Sequence, residues 1–260
     1  MVILDHELVD LATPGGPMRT YLFRPAAAGR YPGIALFSEI FQVSGPMRRT
    51  AALLAGHGFV VAVPEIWHEL EPAGTVLGYD PASIQRGNAH KTARELSSFD
   101  SDARLTLEHL KASPRCTGKL GVIGFCVGGH IALRAAMSPE VSAGACCYAT
   151  DIHGRALGKG AHADTLDRLG EVKAEMLMIW GRQDSHIPQE SRAAIHQAMS
   201  RAEVQFSWHE LDAQHAFMRD EGPRYDPALA RLCHGLVIGL LQRRLQTEQE
   251  QDEECSGSSN

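Results

Sequence analysis

Three side chains of this 260-residue chain, Cys126, Asp184 and His215, have the types and the order along the chain that acyl transfer uses: a nucleophile, an acid, then a histidine. A cysteine sulfur attacks an acyl carbon. A histidine takes a proton and returns it to the leaving group, while a carboxylate fixes the histidine tautomer and supports the charged ring. Cys126 sits in Gly124-Phe125-Cys126-Val127-Gly128. Glycine is about a tenth of the chain, so this pattern arises by chance around a given cysteine roughly once in a hundred times, or roughly once in twenty over six cysteines. The motif gains weight only in company with Asp184 and His215.

Each residue also has a bland reading. Cys126 can be a small residue filling a tight turn, and Asp184 can open a turn before the next helix, a site aspartate favours. His186 rivals His215 but lies two residues from Asp184, and acid and base must come from different loops to meet the sulfur. Surface or capping roles suffice for the other histidines. Cys146 and Cys147 are adjacent in an apolar run, where neighbouring side chains point to opposite faces, and read as small buried hydrophobes.

The choice rests on the elements that position these residues. Leu120 to Phe125 is an apolar run that stops at the motif, and an alanine-rich stretch with helical spacing follows at Ile131 to Met137. Strand, sharp turn, helix is the context of a nucleophile elbow. Gly124 and Gly128 keep the turn free of Cβ atoms where strand and helix pass closely, and the helix start favours a thiolate. Upstream, residues 2 to 12 and Met18 to Arg24 alternate as an antiparallel pair around Thr13-Pro14-Gly15-Gly16-Pro17. Tyr31 to Phe37 is a buried strand, Pro46 to Gly56 a helix and Phe59 to Val63 the next strand. Residues 64 to 89 show no period and read as a long loop or lid containing Arg86; His90 to Ser113 is helical. Downstream, strands at Val141 to Tyr148, Glu175 to Trp180 and Val204 to Leu211 are separated by loop with a short helix at Thr150 to Gly170 and by a helix at Gln189 to Ser200. A helix over Asp226 to Leu245 closes the chain. Asp184 and His215 each fall just past a strand's carboxyl end, as Cys126 does. Open α/β sheets bind ligands at that edge.

Composition agrees with a single enzyme domain over residues 1–245. Forty-four per cent of residues are apolar, no run is long enough for a membrane span, and the start MVILDHELVDL lacks the basic and apolar parts of a signal peptide, so the expectation is a cytoplasmic protein with no membrane partner. The six cysteines show no CxxC pair, which argues against a zinc or other metal site and against a disulfide framework. The segment 246–260 carries five of the six net negative charges, has almost nothing apolar to bury and reads as a disordered acidic tail. The remaining body has no basic face for nucleic acid.

The chain resembles the dienelactone hydrolase family, the cysteine branch of the α/β hydrolases, over roughly residues 15 to 245. The likeness is carried by FSEIF (37–41), GFCVGG (124–129), GRQD (181–184) and HAFMR (215–219). It implies an α/β-hydrolase fold, a mostly parallel sheet with helices on both faces, and the triad Cys126, His215 and Asp184 without a cofactor. It adds Glu39, which on its own reads as a solvated loop charge. In the family the matching glutamate is held close to the thiol until substrate displaces it; a carboxylate beside sulfur opposes a standing thiolate. The backbone N–H groups of Val127 and Ile40 would form the oxyanion hole, and Arg219 with Arg86 would hold a substrate carboxylate. The implied activity is opening of a small lactone, or cleavage of a carboxylic ester, through a cysteine acyl-enzyme, by a monomer or weak homodimer. A general carboxylesterase or thioesterase, a peptidase or transferase using the same acyl-enzyme, and a non-catalytic ligand-binding module of this fold are the alternatives.

Overall fold

The computed structural model describes residues 1–246. The expected acidic tail falls, apart from Gln246, outside these residues. Strands β1 (Ile3–Thr13) and β2 (Gly16–Pro25) form an antiparallel hairpin with one face towards the protein. β3 (Tyr31–Phe37), β4 (Val60–Pro64), β5 (Cys116–Phe125), β6 (Val141–Cys147), β7 (Glu175–Gly181) and β8 (Phe206–Leu211) complete one eight-stranded sheet. Its order is β1-β2-β4-β3-β5-β6-β7-β8, and every pairing from β4 to β8 is parallel. The apolar runs explain the order. β4, β6 and β7 are almost entirely buried and so lie inside the sheet, while β1 and β8 carry only half-buried and exposed residues and form its edges.

Helices α1 (Gly45–Gly56), α2 (Pro81–Ala93), α3 (Leu96–Ala112), α4 (Val127–Ala135), α5 (Gln189–Arg201) and α6 (Pro227–Leu245) fill the connections. Two glycines of β5 show that helices cover both faces. A Cβ on Gly121 would meet Leu241 and Leu245 of α6, and one on Gly124 would meet the backbone of α4. Positions of opposite parity on a strand face opposite ways.

The region 64–89 departs from the expected loop, because residues 81–93 are the helix α2. Asp80 caps it, its Oδ1 accepting from the Ser83 N–H at 3.0 Å, and Pro81 suits the first turn. Gly87 is its one buried residue, so it has no apolar stripe for a periodicity reading to detect. The helical stretch 90–113 is likewise two helices. Arg94 breaks it in an extended conformation and buries its guanidinium, which donates to the Ile66 carbonyl at 2.6 Å, Glu69 at 2.5 Å and Asp102 at 2.7 Å.

Register brings the strand ends level. Phe37 pairs with Gly124, Phe125 with Cys147, Cys147 with Ile179 and Gly181 with Leu211. The segments that follow Phe37, Phe125, Cys147, Gly181 and Leu211 therefore emerge along one edge.

Candidate active site

Cys126 occupies the turn between β5 and α4 with φ 56 and ψ −124, a left-handed conformation rare for a side chain larger than glycine. Its N–H donates to the Cys147 carbonyl at 3.1 Å, and its carbonyl accepts from the Thr150 N–H at 3.2 Å. The close passage inferred at the two glycines is severe. A Cβ on Gly124 would lie 1.8 Å from the Gly128 oxygen, and one on Gly128 would lie 2.2 Å from the Phe37 oxygen.

Asp184 and His215 meet across the β7 and β8 loops. His215 Nδ1 donates to Asp184 Oδ2 at 2.6 Å, while Asp184 Oδ1 accepts from the His186 N–H at 2.8 Å, so both oxygens of this buried carboxylate are engaged. With Nδ1 committed to Asp184, Nε2 is left for Cys126, whose sulfur lies near enough to the ring to favour its charge. Burial opposes the imidazolium. The adjacent Cys126 sulfur and the Asp184 hydrogen bond outweigh it and push the His215 pKa up to about 10. The rings of Tyr148 and His186 stand edge-on to His215 at 5.2 and 4.7 Å. His186 thus enters the site twice, through its backbone on Asp184 and its ring on His215. A Cβ on Gly181 would lie 2.4 Å from the Ala213 oxygen, so the close approach of the two loops needs glycine there.

Glu39 follows β3 and is buried. Its Oε2 accepts from Arg219 Nη1 at 3.1 Å, and Oε1 is enclosed without a partner. Glu39 makes no hydrogen bond to the Cys126 sulfur in this structure; Arg219, stacked on Phe41 at 5.1 Å and Tyr79 at 4.6 Å, supplies the counter-charge a buried carboxylate needs. Arg86 lies on α2, not in a loop. Its guanidinium pairs with Glu71, a fully buried carboxylate that also takes His90 Nε2 at 2.5 Å. The structure thus gathers Cys126, Asp184, His215, Glu39 and Arg219 at one sheet edge, and gives Arg86 an internal partner.

The N–H groups of Ile40 and Val127 donate to no protein acceptor among the described residues. The Ile40 peptide is braced. Its carbonyl accepts from Trp67 Nε1 at 2.8 Å, and the Glu39 carbonyl, in the same peptide unit as the Ile40 N–H, accepts from Gln42 at 3.2 Å.

Trp67, Tyr148 and Thr150 escaped the sequence reading. Tyr148 and Thr150 sit just past the end of β6, the placement that singled out Asp184 and His215, so that rule applied to every strand would have found them. Trp67 acts through a contact 27 residues away and has no local signal. His68, Glu69 and Asp102 could in type hold a metal ion, but Arg94 donates to Glu69 and Asp102 and lies 3.2 Å from His68 Nε2, so a cation already stands among them. Among the described residues no helix is long and apolar enough to cross a membrane.

Comparison with known proteins places this architecture. A Saccharomyces cerevisiae protein provisionally named carboxymethylenebutenolidase is 36% identical over 259 residues, covering 95% of this chain and 94% of its own. A carboxymethylenebutenolidase of Pseudomonas sp. strain P51 is 29% identical, covering 93% and 96%. Among solved structures, a provisional dienelactone hydrolase from Klebsiella pneumoniae superposes with a TM-score of 0.80 at 21% identity, covering 92% of this chain and 98% of that one, and shares the fold. The model of the dienelactone hydrolase family matches residues 18–245. The chain therefore belongs to the dienelactone hydrolase family and is a hydrolase of ester or lactone bonds.

Proposed function

We propose that the chain opens a small lactone or cleaves a carboxylic ester through a thioester on Cys126. The observation that carries this reading is the Asp184–His215 bond of 2.6 Å, which leaves Nε2 free near the Cys126 sulfur at a strained elbow. The thiolate attacks the acyl carbon, and the developing oxyanion takes the N–H groups of Val127 and Ile40. The C–O bond to the alcohol breaks as His215 returns a proton to the leaving oxygen; in a lactone that alcohol stays tethered. His215 then removes a proton from water, the hydroxide adds to the thioester, and the carboxylic acid leaves as the C–S bond breaks.

Arg219 supports recognition of a substrate carboxylate. Such a group competes with Glu39 for the same guanidinium, and Glu39, released from Arg219, becomes a base beside the thiol. The pairing of Arg86 with Glu71 favours a second reading, an esterase or thioesterase that holds its substrate through Arg219 alone.

The test is a panel of lactones, aryl esters and thioesters, dienelactone included, read by absorbance. Cys126→Ala and His215→Ala are expected to lose about 10³-fold or more in kcat. Full activity in Cys126→Ala would refute the acyl-enzyme. Dienelactone turnover that survives Arg219→Met undiminished would refute the carboxylate site.

A further inference from the structure

Cys126 is held from one side by a residue of the β6 loop. Besides the backbone bond from its N–H, Thr150 places Oγ1 3.9 Å from the Cys126 sulfur, a long S–H···O contact. The other partner of that hydroxyl decides which way its proton points. Thr150 Oγ1 lies 2.6 Å from Asp151 Oδ2, and Asp151 is bound by Lys91 Nζ at 2.9 and 3.1 Å. Burial opposes the charge of Asp151, but Lys91 and the Thr150 hydroxyl outweigh it and hold the carboxyl below its ordinary pKa. An ionised carboxylate only accepts. The single hydroxyl proton of Thr150 is therefore committed to Asp151, and a lone pair faces the sulfur.

Such a lone pair accepts from S–H and repels S⁻. We infer that the Thr150–Asp151 pair holds Cys126 in its protonated form in the substrate-free site. It works against His215 and the start of α4, both of which favour thiolate. Thr150 and Asp151 are positioning residues for a proton, and the inference rests on Cys126 being the nucleophile. The arrangement is built in. Asp151 adopts φ 66, a left-handed conformation uncommon for a non-glycine residue, and the Gly158 N–H ties the same loop back to the Lys91 carbonyl of α2 at 2.9 Å. The chain of contacts thus runs from Lys91, on the helix that carries Arg86, to the sulfur. The other titratable and charged groups around the nucleophile are His215 from the β8 loop, Tyr148 from the β6 loop, and the Glu39–Arg219 pair from the β3 and β8 loops.

The test is the rate of alkylation by iodoacetamide against pH, read by mass spectrometry on the peptide containing Cys126 so that other thiols do not contribute. Thr150→Val is expected to move the inflection down by about one pH unit, which makes alkylation about tenfold faster on the acid side. Thr150→Ser keeps the hydroxyl and is expected to follow the wild-type profile. Asp151→Asn offers an amide donor to Thr150 Oγ1, frees the hydroxyl proton for the sulfur and is expected to move the inflection the same way. This second variant keeps the test open if Thr150→Val does not fold. A valine or asparagine profile that coincides with wild type, or moves up, overturns the inference. Ester turnover in Cys126→Ala is measured separately, so failure of the nucleophile assignment is told apart from failure of the proton-holding role.

Discussion

Two histidines of this chain are buried at the sheet edge and sit at opposite ends of the pKa scale. His215 is raised because Asp184 and the Cys126 sulfur reward its charge. His130, on α4, is fully buried, and burial drives its pKa from 6.5 to about 3, assisted by the nearby charges of Arg134 and Lys91 and offset in part by Asp151. Its Nε2 bonds Thr165 Oγ1 at 2.7 Å. A base whose folded-state pKa lies below its unfolded value binds more protons when unfolded. It stabilises the fold above pH 6.5, and that contribution is lost as pH falls towards 3. The melting temperature of wild type is therefore expected to fall more steeply between pH 6.5 and 4.5 than that of His130→Gln, which can keep the bond to Thr165 without titrating. Parallel melting curves would show that His130 is protonated alike in both states.

At the scale of elements, the segment between β4 and α3 positions the β3 loop. Arg94 pins the Ile66 carbonyl, Trp67 pins the Ile40 carbonyl, and Gly87 of α2 packs so close that a Cβ there would lie 2.8 Å from the Ile40 oxygen. If the Ile40 N–H serves the oxyanion, Trp67 matters to the transition state more than to substrate binding. Trp67→Phe removes the indole donor together with part of a fully buried ring. Its kcat is expected to fall about tenfold with KM nearly unchanged, the pattern of a misplaced group. A rise in KM at constant kcat would assign Trp67 to substrate binding instead. Stability is expected to drop by about 1–3 kcal/mol, the cost of leaving a buried carbonyl unpaired.

At the scale of the molecule, eight strands share one sheet and one contiguous apolar core, with the β1–β2 hairpin joined to it through β2 and β4. Nothing in that arrangement divides the described residues into separately stable units. Calorimetry is expected to show one transition whose van't Hoff and calorimetric enthalpies agree. Two resolved transitions would show that part of the chain unfolds on its own.

The strands, the elbow and the placement of Cys126, Asp184 and His215 were legible in the sequence because each depends on local patterning: apolar runs of strand length, glycines where backbones pass, and chemistry just beyond a strand's end. α2 was not legible as a helix, since it buries only Gly87 and its sole local signal is the cap at Asp80 and Pro81. Nor were the partners of the charged residues. Glu39 and Arg219 are 180 residues apart, Arg86 and Glu71 15 apart, and which cation neutralises which buried carboxylate is settled only when the fold removes both from water. The sequence by itself thus determined the fold, the family and the residue types lined up at the sheet edge. The tertiary structure alone decided their pairing: Glu39 with Arg219, Arg86 with Glu71, and Thr150 between Asp151 and the sulfur. A pattern along the chain specifies which face a side chain takes, whereas a hydrogen bond across loops depends on where distant backbone segments come to rest.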